Sequence, residues 1–166
     1  MRLTLLALPL VFILAACGSS PEVASRADTG ADTGIDRFPA ASPELVRLID
    51  RTADEKGIPR ALMHRVVQRE SGYRPAARNG PYWGLMQILP QTARTMGFRG
   101  QPPELLDPEV NLRYAARYLR GAWMVADGDI DRAVQWYARG YYYEARDRCL
   151  LVATGLAARE VNRRCG

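Results

Sequence analysis

The chain has 166 residues, enough for one modest domain together with shorter segments. Its formal net charge is +5, a basic balance that in a cytosolic protein would suggest a nucleic-acid partner. An export signal at the N-terminus excludes that partner. With one histidine and three cysteines that do not cluster, we expect no metal site and no cofactor.

The N-terminal segment has the pattern of a signal peptide. Met1-Arg2 is followed by an apolar run over residues 3–16, which is shorter than the roughly 20 residues that a membrane-spanning helix needs. The run ends Leu14-Ala15-Ala16-Cys17 and resembles a bacterial lipobox, so we predict a signal peptide over 1–16 and lipidation at Cys17. The absence of Asp after Cys17 favours the outer membrane, with the domain facing the periplasm. The alternative is an ordinary signal peptide with a chance cysteine.

Residues 17–41 are predicted to form the lipidated N-terminus and a flexible tether. The stretch is rich in Ala, Ser, Asp, Thr and Gly, and it repeats Ala-Asp-Thr-Gly at 27–30 and 31–34. Such a composition has little apolar surface to bury and reads as disordered. About 24 residues of such coil span on the order of 25–30 Å on average. The remaining residues, 42–166, are assigned to one folded domain.

Helix signals dominate residues 42–166, so the predicted fold class is all-α. Caps, breakers and apolar spacing of three and four residues define the elements. In chain order we expect a helix from Ser42 to Gly57, one from Pro59 to Glu70, a loop over 71–83 with at most a short β excursion, a compact apolar segment over 84–88, a short helix over 90–96, a long helix from Asp107 to Gly128, one from Asp129 through Ala138, and one or two helices over 142–161 split near Gly155.

Glu70 is the residue with the strongest chemical signal. On a helical wheel at ~100° per residue it falls inside the apolar stripe of its helix, between Val66 and Met63. Burial and the negative end of the helix dipole both disfavour its anion, so both should raise its pKa, as a general acid requires. The alternative is a buried ion pair with Arg69 or Arg74. His64 lies on the polar side of the same wheel, and we expect it at the surface.

Two cysteines remain once Cys17 is assigned to lipidation. Cys149 and Cys165 make an even pair in an oxidising compartment. If bridged, they close a loop of about 15 residues and add about 3 kcal/mol in the chain-entropy treatment. Two free thiols are the alternative.

Three short motifs occur in a fixed order along the domain. They are Glu70-Ser71-Gly72-Tyr73 with Pro75, Gly84-Leu85-Met86-Gln87-Ile88 with Pro90-Gln91-Thr92-Ala93, and Ala133 through Tyr137 with Gly140. In this order, and behind a lipobox, the chain resembles the catalytic domain of bacterial lytic transglycosylases of the soluble type, which are relatives of goose-type lysozyme. The resemblance covers about residues 42–140.

This resemblance implies a lysozyme-like helical fold and cleavage of peptidoglycan glycan strands between N-acetylmuramic acid and N-acetylglucosamine. Glu70 would be the single catalytic acid and base, and the product would end in a 1,6-anhydro sugar. Ser71 would orient the acid and the substrate, and Met86 and Gln87 would touch sugar. Tyr137 would hydrogen-bond the Glu70 carboxyl. The implied partners are the glycan strand and, through the lipid, the membrane, while protein partners stay unknown.

The chain departs from the family pattern at two places. The third motif ends Tyr137-Ala138-Arg139-Gly140, where the family usually has Tyr-Asn-Ala-Gly. Before Gly84 the family usually has small residues, whereas this chain has Pro81-Tyr82-Trp83. These aromatics, and a second run at Tyr141-Tyr142-Tyr143, could stack on sugar or pack against the protein. Two other functions therefore stay open, a hydrolytic muramidase on the same fold and a peptidoglycan-binding lipoprotein with impaired turnover.

Overall fold

The computed structural model describes residues 41–165. The predicted signal peptide, the lipidation site at Cys17 and nearly all of the tether lie outside the described residues. Within 41–165, none of the helices combines the length and apolarity that crossing a bilayer takes.

The described domain is built almost entirely of helices, which confirms the all-α prediction. The elements are α1 (Pro43–Lys56), α2 (Arg60–Ser71), β1 (Arg78–Asn79), β2 (Tyr82–Trp83), α3 (Pro90–Thr95), a 3₁₀ helix (Pro102–Leu106), α4 (Pro108–Val125), α5 (Ile130–Arg139), α6 (Tyr142–Asp147), α7 (Leu151–Thr154) and a second 3₁₀ helix (Arg163–Cys165). The antiparallel strands form the minimal β excursion, with Arg78 opposite Trp83 and Asn79 opposite Tyr82.

The predicted N-caps begin their helices as expected. The side chains of Ser42, Asp107 and Asp129 accept hydrogen bonds from the backbone N–H groups three residues later, at 3.2, 2.9 and 2.9 Å. Each cap satisfies a donor that the first helical turn leaves without an intrahelical partner. Local sequence therefore sets where α1, α4 and α5 start.

Helix α4 forms the centre of the core. It packs against α1, α5 and α7, and its buried face carries small and branched apolar residues, Leu112, Ala115, Ala116, Leu119 and Ala122. Small side chains let the neighbouring helices approach closely. At Gly121 the approach is closest, because an added Cβ would collide with the Tyr141 hydroxyl, which donates to the Tyr118 carbonyl at 2.8 Å.

The groove loop, defined as residues 84–88, is fixed to the start of α4 by Asn111. This fully buried amide accepts from the Met86 N–H at 2.9 Å and donates to the carbonyls of Trp83 and Leu105, both at 2.8 Å. Gly84 has φ +72°, and a Cβ there would collide with the Leu105 carbonyl and the Asn111 amide. Both the positive φ and the lack of space for a Cβ therefore require glycine at position 84.

The prediction that His64 lies at the surface is wrong. The side chain is buried at 5% exposure, with Nε2 2.9 Å from an Asp50 oxygen and Nδ1 3.0 Å from the Tyr73 hydroxyl. Asp50 belongs to α1 and Tyr73 to the loop after α2, so both neighbours cover the face of α2 that the helical wheel left polar. A wheel describes one helix and carries no information on what packs against its second face.

The C-terminal region is less helical than predicted. Helix α7 ends at Thr154, and Gly155 follows with φ +75°, so the expected helix through residue 161 is absent from the described chain. The Glu160 carboxylate instead folds back and accepts from the N–H groups of Leu151 and Val152, at 3.2 and 2.8 Å. These are donors of the first turn of α7, which a carboxylate can satisfy.

Cys149 and Cys165 form a disulfide in the structure, with Cα atoms 5.4 Å apart across 16 positions of sequence. The bond ties the last described residues to the end of α6. A loop of this size corresponds to about 3 kcal/mol of stabilisation in the chain-entropy treatment.

Replacing Asn111 by Ala should lower the free energy of unfolding by about 2 kcal/mol or more, because a buried polar group left unsatisfied costs about 1–3 kcal/mol. The Met86 N–H and the Leu105 carbonyl would lose their partner, while the Trp83 carbonyl keeps the Ile88 N–H at 3.1 Å. Asn111→Asp should also destabilise, since its oxygens would face the Trp83 and Leu105 carbonyls. Urea unfolding measures both. The control is Asn162→Ala, whose Oδ1 accepts from the Arg164 N–H in an exposed hydrogen bond. A loss under about 1 kcal/mol for Asn111→Ala would contradict this role.

Candidate active site

Glu70 lies in the last turn of α2, next to its final residue. Its side chain is 22% exposed, and its Oε1 is 3.7 Å from the Arg69 Nε. Burial raises the pKa of the carboxyl above its usual range, and the Arg69 charge opposes that rise. Desolvation is thus the larger effect, in the direction the helical wheel predicted. The partial exposure leaves the carboxyl accessible to a ligand.

Arg69 is a weak counter-charge, which is why burial prevails. Its guanidinium is half exposed, so water screens the pair. Burial and Arg69 are the causes of the pKa shift, and no carboxylate of the described chain contributes to it. Asp131, on neighbouring α5, is paired with Arg65 at 2.6 Å. Among the described residues, Glu70 is therefore a carboxyl group of raised pKa with no second carboxylate acting on it.

Tyr137, on α5, is buried, and its hydroxyl donates to the Met86 carbonyl at 2.8 Å. Burial first, and then the nearby charge of Glu70, hold the pKa of this phenol well above its usual range. The expected hydrogen bond between Tyr137 and the Glu70 carboxyl is not made in the structure, where the hydroxyl donates to the Met86 carbonyl instead. Tyr137 instead fastens the groove loop to α5 beside Glu70.

Met86 does not have the position predicted for it. Its side chain is fully buried, its N–H is held by Asn111 and its carbonyl by Tyr137. A sugar cannot reach that side chain, so the expected contact is wrong. Motif spacing does not decide which way successive residues of a short loop point, and here the tertiary contacts turn Met86 inward.

Gln87 follows Met86 in a left-handed backbone conformation, with φ +47°. Its Nε2 donates to the carbonyls of Gly84 and Ala77, at 2.8 and 3.1 Å, and the residue is 9% exposed. It lines the cavity described below. Gln87 therefore both closes the groove loop and presents a polar surface to the cavity.

Ser71, directly after Glu70, is engaged at the end of α2. Its hydroxyl donates to the Val67 carbonyl and accepts from the Arg74 N–H, both at 3.3 Å, and the residue is buried. The Arg74 Nε in turn donates to the Ser71 carbonyl at 2.8 Å. These contacts fix the turn that follows Glu70, and they leave the Ser71 hydroxyl directed into the protein.

A cavity of about 240 Å³ opens beside Tyr137. It is lined by Tyr82, Gln87, Ile88, Leu89, Thr92, Tyr118, Tyr137, Ala138, Arg139 and Gly140. The walls combine aromatic rings, hydroxyls and amides, the mixture that suits a sugar ring with its apolar face and polar edge. Glu70 is not among the residues that line this cavity, but it lies close enough to Tyr137 for its charge to raise the pKa of that phenol.

The aromatic residues flagged by the sequence divide between the surface and the core. Tyr82, at 42% exposure, lines the cavity, whereas Trp83 is half-buried under the Arg78 guanidinium, 3.6 Å from its ring centroid. Tyr141 is buried, with its hydroxyl donating to the Tyr118 carbonyl at 2.8 Å, so it is not part of a sugar platform. Tyr142 and Tyr143 are exposed on α6 and contact each other edge to face. Of these five aromatic side chains, Tyr82 is the one that lines the cavity.

Asn111 is the structural residue that the sequence reasoning missed. A signal existed, because Asn111 lies four residues before Ala115 and eight before Leu119, on the buried stripe of α4. A polar side chain on such a stripe needs buried partners. Which partners it takes could not be read from the stripe.

In the described residues, no three His, Cys, Asp or Glu side chains are grouped so as to hold a metal ion.

The comparisons with known proteins agree with this arrangement. The profile of the transglycosylase SLT domain matches residues 47–147, more than half of the chain. The peptidoglycan transglycosylase gp16 of Escherichia phage T7 is 34% identical over 98 residues, which cover 56% of this chain and 7% of that protein. The chain thus spans a small part of that relative's length. No solved structure matches.

The matched residues run from α1 to α6 and include Glu70, the groove loop, Asn111 and Tyr137. The helical fold and the half-buried acid beside a fixed loop lie within this one span. The chain therefore belongs to the transglycosylase SLT domain family.

Proposed function

We propose that this protein is a lytic transglycosylase that cleaves the β-1,4 bond between N-acetylmuramic acid and N-acetylglucosamine in peptidoglycan, with Glu70 as its single acid and base. The observation that carries the proposal is the half-buried Glu70 carboxyl, whose pKa burial raises, in an SLT domain. The phage relative is named a peptidoglycan transglycosylase, which supports the same substrate class.

The first step uses Glu70 as an acid. Its raised pKa keeps the proton on the carboxyl until the glycosidic oxygen arrives, and the proton then passes to that oxygen as the C1–O bond breaks. With Glu70 as the single acid and base, the substrate's own 2-acetamido oxygen bonds to C1 and stabilises the positive charge that develops there. In retaining two-carboxylate glycosidases a second carboxylate about 5–5.5 Å away fills that role.

The second step uses Glu70 as a base. The carboxylate removes the proton of the C6 hydroxyl, whose oxygen attacks C1 and displaces the acetamido oxygen. The product is a 1,6-anhydro sugar, no water is consumed, and Glu70 regains its proton. Asn111 and Tyr137 hold the groove loop in place throughout, so that binding energy from the strand is spent on alignment.

The protein is further proposed to act from a lipid anchor at Cys17, on the outer membrane and facing the periplasm. The support is the sequence Leu14-Ala15-Ala16-Cys17 and the small, polar residues after it. Radiolabelled palmitate should enter the wild type and not the Cys17→Ser variant in bacterial cells. Equal labelling of the variant would contradict the anchor, and a cleaved but unlabelled wild type would indicate an ordinary signal peptide.

Glu70→Gln should reduce release of soluble fragments from peptidoglycan by about 100-fold or more, because the amide neither donates nor accepts the transferred proton. Mass spectrometry of wild-type products should show ends lighter by one water than hydrolytic ends. Circular dichroism checks that the variant folds, and Glu55→Gln, which removes an exposed acid from α1, controls for net charge.

Each other outcome of that digestion excludes part of the proposal. Wild-type rates in Glu70→Gln would remove Glu70 from the chemistry. Products that carry the added water would identify a hydrolytic muramidase on the same fold. Wild-type protein that binds the wall without releasing fragments would identify a binding lipoprotein.

The pH dependence should follow the raised pKa of Glu70. As pH rises through that pKa, the acid form is lost and kcat/KM should fall. Over the window between the ordinary carboxyl pKa and the raised one, the folded wild type holds a proton that the unfolded chain has released, so its stability falls with rising pH. Glu70→Gln has no carboxyl to titrate at this position, so its free energy of unfolding does not fall through that window. Above the window the variant should therefore be more stable than wild type.

Urea unfolding of wild type and Glu70→Gln across acidic and neutral pH measures the difference, with Glu55→Gln as the matched control. A difference that stays constant with pH would show that Glu70 is not desolvated, and the acid–base assignment would lose its physical basis.

A further inference from the structure

The cavity beside Tyr137 has one charged residue in its described lining, Arg139. The other lining residues are uncharged, among them Tyr82, Gln87 and Thr92. Uncharged hydroxyls, amides and rings suffice to bind a neutral sugar. A full positive charge at the edge of such a cavity therefore calls for a separate explanation.

Arg139 has no acidic partner in the described chain. Its guanidinium carbon lies 3.9 Å from the centroid of the Trp136 ring, and no carboxylate of residues 41–165 reaches it within ion-pair distance. Some arginines of the described residues are paired, such as Arg65 with Asp131 and Arg148 with Asp127, both at 2.6 Å, whereas Arg139 is among those that are not. What distinguishes Arg139 is that it is held over a ring and lines the cavity. Arg139 is thus a positioned cation without a counter-charge.

Stacking on Trp136 leaves the guanidinium well suited to an anion. A planar guanidinium held over a ring keeps its N–H groups in the plane, directed outward, and these groups match a carboxylate in pairs. A neutral strand lying over Arg139 would strip water from the charge without replacing it, at a cost. A carboxylate on the strand would offset that cost.

We propose that Arg139 binds a carboxylate attached to an N-acetylmuramic acid residue of the glycan strand. Through this contact the enzyme would prefer strands that carry such carboxylates. The inference rests on the proposed function. Two sources supply this chemistry in peptidoglycan, a carboxylate of the stem peptide and the lactyl carboxylate that is freed when the stem peptide is removed. Arg139 is a specificity residue in this assignment, and it does not touch the reacting atoms.

A purely structural role is the competing explanation. Arg139 is the last residue of α5, where a cation stabilises the helix dipole, and it covers Trp136. That role predicts a loss of stability on substitution, equal on every substrate. The carboxylate role predicts a change in KM that depends on the charge of the substrate.

The test compares wild type, Arg139→Gln, Arg139→Lys and Arg120→Gln on soluble peptidoglycan fragments. Arg120 is an exposed arginine of α4, close to the Met124 sulfur and outside the cavity lining, so it matches the lost charge. Three substrates are used: intact fragments, fragments whose carboxyl groups are converted to amides, and fragments stripped of stem peptides by an amidase.

On intact fragments, Arg139→Gln should raise KM about tenfold with kcat nearly unchanged, which corresponds to the loss of one charge-assisted interaction. Arg139→Lys should recover part of the loss, and Arg120→Gln should match wild type. On amidated fragments wild type and Arg139→Gln should have the same KM. An effect on intact fragments identifies the stem peptide, because the lactyl carboxyl is still bound in an amide there. An effect confined to stripped fragments identifies the lactyl carboxylate.

Two results would overturn the proposal. One is an unchanged KM for Arg139→Gln on both intact and stripped fragments. The other is an equal loss on intact and amidated fragments, accompanied by a lower melting temperature, which would show a structural role.

Binding without turnover separates this inference from the proposed function. Co-sedimentation with intact and amidated cell-wall sacculi should show tighter binding to the intact form for Glu70→Gln than for the Glu70→Gln/Arg139→Gln double variant, with a difference that salt weakens. If the wild type released no fragments, the proposed function would fail, and this comparison would still decide whether Arg139 binds the carboxylate.

Discussion

The buried amide of Asn111 is the interaction on which the site depends. It is anchored on α4, the central helix, and its three hydrogen bonds reach Met86, Trp83 and Leu105. A loop without regular structure has backbone groups that need partners when buried, and a single side-chain amide provides both donors and an acceptor. The close fit explains why residue 84 must be glycine. Loop and core are thereby joined as one unit.

The groove loop and the core to which it is joined also define the surroundings of Glu70, the candidate catalytic residue. Tyr137 bonds to the Met86 carbonyl from the opposite side, so the groove loop is held between α4 and α5. Glu70 approaches from α2, which packs against α5. Its burial raises the pKa more than the exposed Arg69 lowers it. An acid that holds its proton near a rigid, polar wall can protonate a leaving oxygen without first rearranging the protein.

The C-terminal end of α2, where Glu70 lies, is held in place by side-chain contacts. The turn after Glu70 contains Tyr73 with φ +62°, and the Tyr73 hydroxyl lies 3.0 Å from His64. Asp50 of α1 contacts the other nitrogen of that ring. Ser71 closes the turn with hydrogen bonds to Val67 and Arg74. Glu70 thus lies in a segment whose backbone is held by contacts on both sides, which would limit the entropy lost on binding a ligand there.

The sequence by itself determined the helical fold, the starts of α1, α4 and α5, and the desolvation of Glu70, because caps and apolar periodicity act within one helix. Only the tertiary structure decided that Met86 turns inward, that Tyr137 bonds to Met86, and that His64 is buried. Each of these depends on which neighbouring element covers a given face. The partners of Asn111 lie 6 to 28 positions away along the chain, and such distances are set by packing, which no local pattern encodes.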